Sequence, residues 1–207
     1  MKSDYSLYEA LLESRNNNPN NNALLFMGKY VNYHQLLEKI DSVANGINKL
    51  GIKQGEVITM ALPNVFEAIY SFYAVNKLGI IAHMVHPITP IKQMQNFMSK
   101  TKSKTLIILD TFFDHYKDLL NEDVLLILVS PVNDFSTIKK LGYKIINRKK
   151  LANVKYSEKV IKFNSLYSKF KADKVKTDPT ITSTYLHSGG TSGEPKTIEL
   201  SNHAINY

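Results

Sequence analysis

The chain has 207 residues, 43% apolar and 21% charged, with a formal net charge of +8 and no cysteine. That is enough polypeptide for one large domain or two small ones with a packed core, and too apolar for a disordered segment. The lack of cysteine excludes disulfides and thiolate metal sites, and no apolar run approaches the roughly 18 residues of a membrane-spanning helix, so a soluble, cytoplasmic protein is expected.

The opening residues, MKSDYSLYEALLES, read as an amphipathic helix without the apolar centre of a signal peptide. The asparagine-rich residues 16–22, broken by Pro19, form a polar loop, and ALLFMGKYVNY reads as two short strands about a turn at Gly28-Lys29. Leu36, Leu37, Ile40, Val43, Ala44, Ile47 and Leu50 stand at helical spacing, which predicts a helix over 33–50 stopped by Gly51. GEVITMALP follows as a buried strand, and Asn64 is placed to cap a helix ending at Gly79. IIAHMVHP is the next strand, with Thr89 placed to cap a helix through about Lys100. TLIILD is a third strand, 111–120 a helix, and VLLILVS a fourth strand ended by Pro131.

Strands alternating with helices of about 10–18 residues predict an α/β fold, a mostly parallel sheet flanked by helices on both faces. The continuous apolar strands agree, since both of their faces would be buried. From residue 131 to 178 the pattern loosens, and YKIIN and KVIKF read as short strands among lysines. Residues 139–176 hold thirteen Lys or Arg against Glu158 and Asp173, a local charge of +11 that leaves −3 for the rest. Outside that one basic segment the chain is near neutral. Solvated surface is the ordinary reading of such a segment. The alternative is an anionic partner: cofactor phosphates, an acidic carrier protein or a membrane surface. No nucleic-acid-binding motif accompanies the charge, so nucleic acid is not expected as a partner. Asp178-Pro179 breaks the chain and ITSTYLHS begins a new strand. The expected organisation is an α/β unit over 1–135, a basic connection over 136–180, and the start of a second sheet over 181–207.

That last strand leads into Ser188-Gly189-Gly190-Thr191-Ser192-Gly193-Glu194-Pro195-Lys196, followed by TIEL and by Ser201 at a helix-cap position. Glycines allow positive φ and close backbone approach, so that successive N–H groups can face one anion. The hydroxyls of Ser188, Thr191 and Ser192 add donors, and Lys196 adds charge. The composition suits a grip on a polyphosphate, or else a flexible hairpin loop. It is not a Walker A motif, because no Gly-Lys-Ser/Thr closes it.

SGGTSGEPK resembles the phosphate-binding loop of the adenylate-forming superfamily: acyl-CoA synthetases, luciferases and the adenylation domains of peptide synthetases. GIKQGEVITMALPN at 51–64 and AVNKLGIIAHMVHPITP at 74–90 are similar to earlier segments of that family, in the same order, so the resemblance covers most of residues 30–205. It implies that Ser188, Gly189, Gly190, Thr191, Ser192, Gly193 and Lys196 hold the β- and γ-phosphates of ATP. A carboxylate would then attack the α-phosphorus and pyrophosphate would leave. It also implies an acyl-adenylate product passed to coenzyme A or a phosphopantetheine arm, with the acid as substrate and an acidic carrier protein as a further partner. The Mg²⁺ ligand, the adenine and ribose sites and the catalytic lysine of the family are expected beyond Tyr207, so this chain alone would be inactive. An amino-acid-adenylating domain, or a non-catalytic nucleotide- or partner-binding module, are the other readings. The sequence departs from the family at Thr197-Ile198, where Gly-Val is usual, and at Asn202, where a histidine is common. His83 and His86, three apart on one predicted strand, would point to opposite faces and are expected to be structural. His187, just before the loop, is expected to hydrogen-bond beneath it.

Overall fold

The computed structural model describes residues 5–170, 172–176, 178–188 and 195–206. Helix α1 (Leu7–Asn17) starts at a reciprocal cap in which Ser6 and Glu9 each accept the other's backbone N–H. Strands β1 (Asn22–Phe26) and β2 (Lys29–Asn32) pair antiparallel. Their turn is Met27-Gly28, one residue earlier than expected, and both residues have positive φ, the backbone that a tight hairpin requires. Helix α2 (Tyr33–Lys49) begins at a second reciprocal cap, Asn32 with Gln35, and buries every apolar position predicted for its inner face except Leu50.

Four βα units follow. Strand β3 (Val57–Ala61) leads to α3 (Phe66–Lys77), β4 (Ile81–Met84) to α4 (Ile91–Thr101), and β5 (Thr105–Leu109) to the short α5 (Phe113–Tyr116). Strand β6 (Leu125–Val129) leads to α6 (Thr137–Ile146) and α7 (Arg148–Leu151). Neither expected cap forms. Val65, not Asn64, is the residue before α3, and Pro90 precedes α4 while the Thr89 hydroxyl donates back to the His86 carbonyl at 2.8 Å. The expected helix over 111–120 is broken into 3₁₀ turns on either side of α5. YKIIN is helical, the last turn of α6, because Ile138, Leu141 and Ile145 carry a helical period through it. KVIKF supplies β7 (Val160–Lys162) as expected.

Strands β8 (Thr182–His187) and β9 (Thr197–Ser201) form a hairpin ahead of α8 (Asn202–Asn206). The principal sheet has the order β7-β6-β5-β3-β4-β8-β9, parallel except for β9. The mostly parallel α/β fold is therefore as the sequence indicates. The second sheet, however, is the β1–β2 hairpin and not the C-terminal strands. Strand β8 joins the first sheet beside β4, where it satisfies backbone groups that a parallel edge would leave bare and buries Ser183 and Thr184.

Alternate residues of the central strands feed two cores. Ile58, Met60, Ile107, Ile127 and Val129 pack with α1, α2 and α3, whereas Ala61, Leu106, Ile108, Leu126 and Leu128 pack with α4 and α5. Both faces are covered, which is why these strands are apolar without alternation. On the first face Lys77 of α3 and Asp41 of α2 form a buried ion pair at 2.6 Å, and Tyr8 of α1 donates to the same carboxylate at 3.0 Å.

Candidate phosphate-binding site

The candidate loop is the connection of the β8–β9 hairpin. Ser188 and Lys196 meet at its base: the Ser188 N–H donates to the Lys196 carbonyl at 3.0 Å, and the Lys196 N–H donates to Ser188 Oγ at 3.1 Å. This pair of hydrogen bonds joins the end of β8 to the start of β9 at the edge of the sheet. Gly189, Gly190, Thr191, Ser192 and Gly193 lie outside the described residues. Ser188 Oγ uses a lone pair on Lys196 and retains its hydrogen for a ligand oxygen. The Lys196 side chain is exposed, with no ion pair or hydrogen bond among the described residues. Ser201 caps α8 as expected, accepting from the Ala204 N–H at 3.1 Å. The anchor reaches further through Asn202, whose Oδ1 accepts from the Leu7 N–H and from Asn76 Nδ2, tying the hairpin to α1 and α3.

Where β4 and β8 pair, the structure joins two histidines that no local pattern in the chain connects. Parallel pairing sets His83 of β4 opposite Tyr185 of β8, so His187, two residues on, emerges on the same face as His83. The ring of His187 stacks on Phe97 of α4, with centroids 3.5 Å apart and planes within 8°. The two Nε2 atoms lie 2.6 Å apart.

A chain of buried hydroxyls assigns the protons. Ser103 Oγ lies 3.1 Å from the Val57 and Thr105 carbonyls and donates to them, and Thr59 Oγ1 donates to Ser103 Oγ at 2.8 Å. Thr59 then accepts from His83 Nδ1–H at 2.9 Å, which leaves His83 Nε2 to accept from His187 Nε2–H. His187 Nδ1 is left as a bare acceptor, buried and without a partner among the described residues. Burial pushes the His83 imidazole down to about 3, with His187 adding to the effect. Burial, then the charge of Lys100, lowers His187. Both rings are neutral near pH 7. His86 lies past the end of β4, so it does not share a strand with His83. Nothing local in the sequence could have paired residues 83 and 187, because their contact depends on which strand β8 chooses as a neighbour.

A sheet parallel except for an edge hairpin whose strands meet at Ser188 and Lys196 defines a protein of the α/β class. The sequence profile of the family described as AMP-binding enzyme matches residues 11–207, and the chain belongs to that family. It is 23% identical to a long-chain-fatty-acid–CoA ligase of Bacillus subtilis over 97% of its own length and 37% of the relative's. It is 26% identical to the vibriobactin-specific 2,3-dihydroxybenzoate-AMP ligase of Vibrio cholerae, over 99% of this chain and 35% of that one. The crystal structure of the anthranilate CoA ligase AuaEII in complex with anthranoyl-AMP superposes with a TM-score of 0.79 at 16% identity, covering 98% of this chain and 37% of the other. The chain spans about a third of the length of the curated relatives it matches.

Proposed function

We propose that the whole protein is an ATP-dependent ligase that converts a carboxylic acid to its acyl-adenylate and passes the acyl group to a thiol, coenzyme A or a phosphopantetheine arm. The single observation that supports it most is the closed base of the β8–β9 connection, with an exposed Lys196 that has no ion pair among the described residues beside Ser188, whose hydroxyl donates to none of them. In this reading Ser188, Gly189, Gly190, Thr191, Ser192, Gly193 and Lys196 surround the β- and γ-phosphates. The acid's carboxylate oxygen bonds to the α-phosphorus as the bond to the bridging oxygen of pyrophosphate breaks. Charge builds on the leaving pyrophosphate, and a preorganised ammonium and N–H array lowers its energy.

Mg²⁺ would supply positive charge against the phosphates, and it needs oxygen ligands. Among the described residues no three His, Asp or Glu side chains converge. The resemblance of the loop to the adenylate-forming superfamily supports placing the metal's ligand in polypeptide outside residues 1–207, and the 207-residue chain is proposed to be inactive alone. Acid-dependent exchange of labelled pyrophosphate into ATP tests both statements. The whole protein should catalyse it with its cognate acid and the 207-residue chain with none. Exchange by the chain alone would overturn the second statement, and pyrophosphate exchange absent across aliphatic, aromatic and amino acids in the whole protein would overturn the first.

A further inference from the structure

Helix α6 is turned the wrong way round for a helix packed on a sheet. Its apolar residues face solvent: Ile138 is 83% exposed, Leu141 58%, Ile145 61% and Ile146 82%. Its polar side faces the protein, where Tyr143 donates to the buried Asp110 carboxylate and the Asn147 side chain donates back to the Tyr143 carbonyl. Not one residue of α6 is buried. Ile138, Leu141 and Ile145 fall at i, i+3 and i+7, so they form a single stripe.

That stripe is set among cations. Residues 137–151, which include α7, hold Lys139, Lys140, Lys144, Arg148, Lys149 and Lys150 and no acid. Lys140, Lys144, Arg148 and Lys162 line a cavity of about 560 Å³ at the carboxyl ends of β5, β6 and β7, with Tyr143 and Asp110 on its wall. None of these four cations has an ion-pair partner among the described residues. Lys139 reaches the other way and donates to the Met27 carbonyl at 3.2 Å, which brings the exposed Met27 of the β1–β2 turn beside the stripe.

We propose that α6 docks this protein on an anionic phospholipid surface. The aliphatic stripe would enter the boundary between headgroups and acyl chains, and the lysines, whose long stems let their charges reach outward, would meet the phosphates. The cavity between α6 and the sheet would admit a single phosphate headgroup. Charge complementarity and the make-up of the stripe select this occupant over an acidic protein. The exposed face is aliphatic, without the aromatic side chains that anchor protein interfaces.

The test is sedimentation of the purified 207-residue chain, and of the whole protein, with vesicles of phosphatidylcholine alone and of phosphatidylcholine with phosphatidylglycerol. Both proteins should bind the anionic vesicles and leave the neutral ones, and added salt should release them. Each charge lost in a Lys144→Gln, Arg148→Gln variant should reduce partition about fivefold. Ile138→Ser with Ile145→Ser should reduce it at least as much, with an unchanged melting temperature because both side chains are exposed. Several results would overturn the proposal: no binding to phosphatidylglycerol vesicles, binding that survives the isoleucine changes, or complete competition by an equal concentration of soluble glycerol phosphate. So would binding by the chain but not by the whole protein, which would show that other polypeptide covers α6. Concentration-dependent self-association removed by the same isoleucine changes would assign the face to a second copy instead.

Discussion

His83 Nε2 and His187 Nε2 stand 2.6 Å apart at the junction of β4 and β8, the one fully buried and the other next to the first residue of the candidate phosphate loop. The pairing couples the sheet interior to the loop. Its protons are set by the hydroxyls of Thr59 on the neighbouring β3 and of Ser103 just before β5, and the His187 Nδ1 lone pair has no partner among the described residues. Protonating His83 would break this order, because its Nε2 would no longer accept. Its imidazole is held down to about 3 by burial, against about 6.5 in the unfolded chain. Below pH 6.5 the unfolded state therefore binds the proton that the native state refuses. The stability from this group is complete above 6.5 and is lost as pH falls towards 3, by up to ~1.4 kcal/mol per unit. Nitrogen-detected NMR of the imidazoles should find His83 neutral at pH 5, and a His83 resonance titrating near 6.5 would refute the assignment.

Glu67 acts with the opposite sign. It is 1% exposed, one carboxylate oxygen has no partner among the described residues, and burial raises it to about 7, with the nearby Asp134 charge contributing. Here the native state holds a proton that the unfolded state has released, so stability falls as pH rises from about 4.5 through 7. Glu67→Gln should leave stability near that of the parent at pH 4.5 and exceed it at pH 8 by on the order of 2–3 kcal/mol. Urea unfolding of both proteins at the two pH values measures the difference. A gap independent of pH would mean that Glu67 ionises normally in the folded chain.

Gly46, in the middle of α2, is a sharper test of packing against propensity. An added Cβ would lie 2.2 Å from the Leu166 carbonyl oxygen and 2.5 Å from its Cα, both backbone atoms that cannot turn aside. Helix propensity alone favours alanine by about 1 kcal/mol. The overlap forces α2 away from the 3₁₀ turn at Phe163–Leu166, and such overpacking costs about 1–3 kcal/mol. Gly46→Ala should therefore lower the melting temperature by several degrees. A rise would show that the turn can shift freely.

Lys196→Ala in the whole protein separates the phosphate reading from a solubilising role. Loss of one preorganised charged donor costs on the order of 3 kcal/mol in the transition state, or about 10²–10³ in rate. As an exposed side chain without partners among the described residues, it should contribute within about 0.5 kcal/mol to stability. The pyrophosphate exchange rate should collapse while the melting temperature holds. Unchanged exchange at saturating ATP would remove Lys196 from the site.

The order of helices and strands as far as β6, the two-sided burial of β3, β5 and β6 and the Ser201 cap were legible in the sequence. Each depends on residues close together in the chain: an apolar period, or a cap three residues from its partner. The strand assigned to YKIIN failed because three apolar residues in a short window fit either period, and only the longer spacing from Ile138 separates them. The caps at Asn64 and Thr89 did not form because each helix starts one residue later than expected, after Val65 and after Pro90. Tertiary structure alone decided that β8 pairs with β4 in the first sheet, since strand pairing depends on an unsatisfied edge more than a hundred residues away. That one choice brought His187 against His83 and set the loop at the sheet's edge. It likewise decided the orientation of α6, because the Tyr143 hydroxyl found the buried Asp110 carboxylate and turned the isoleucines outward, against the ordinary expectation for an amphipathic helix.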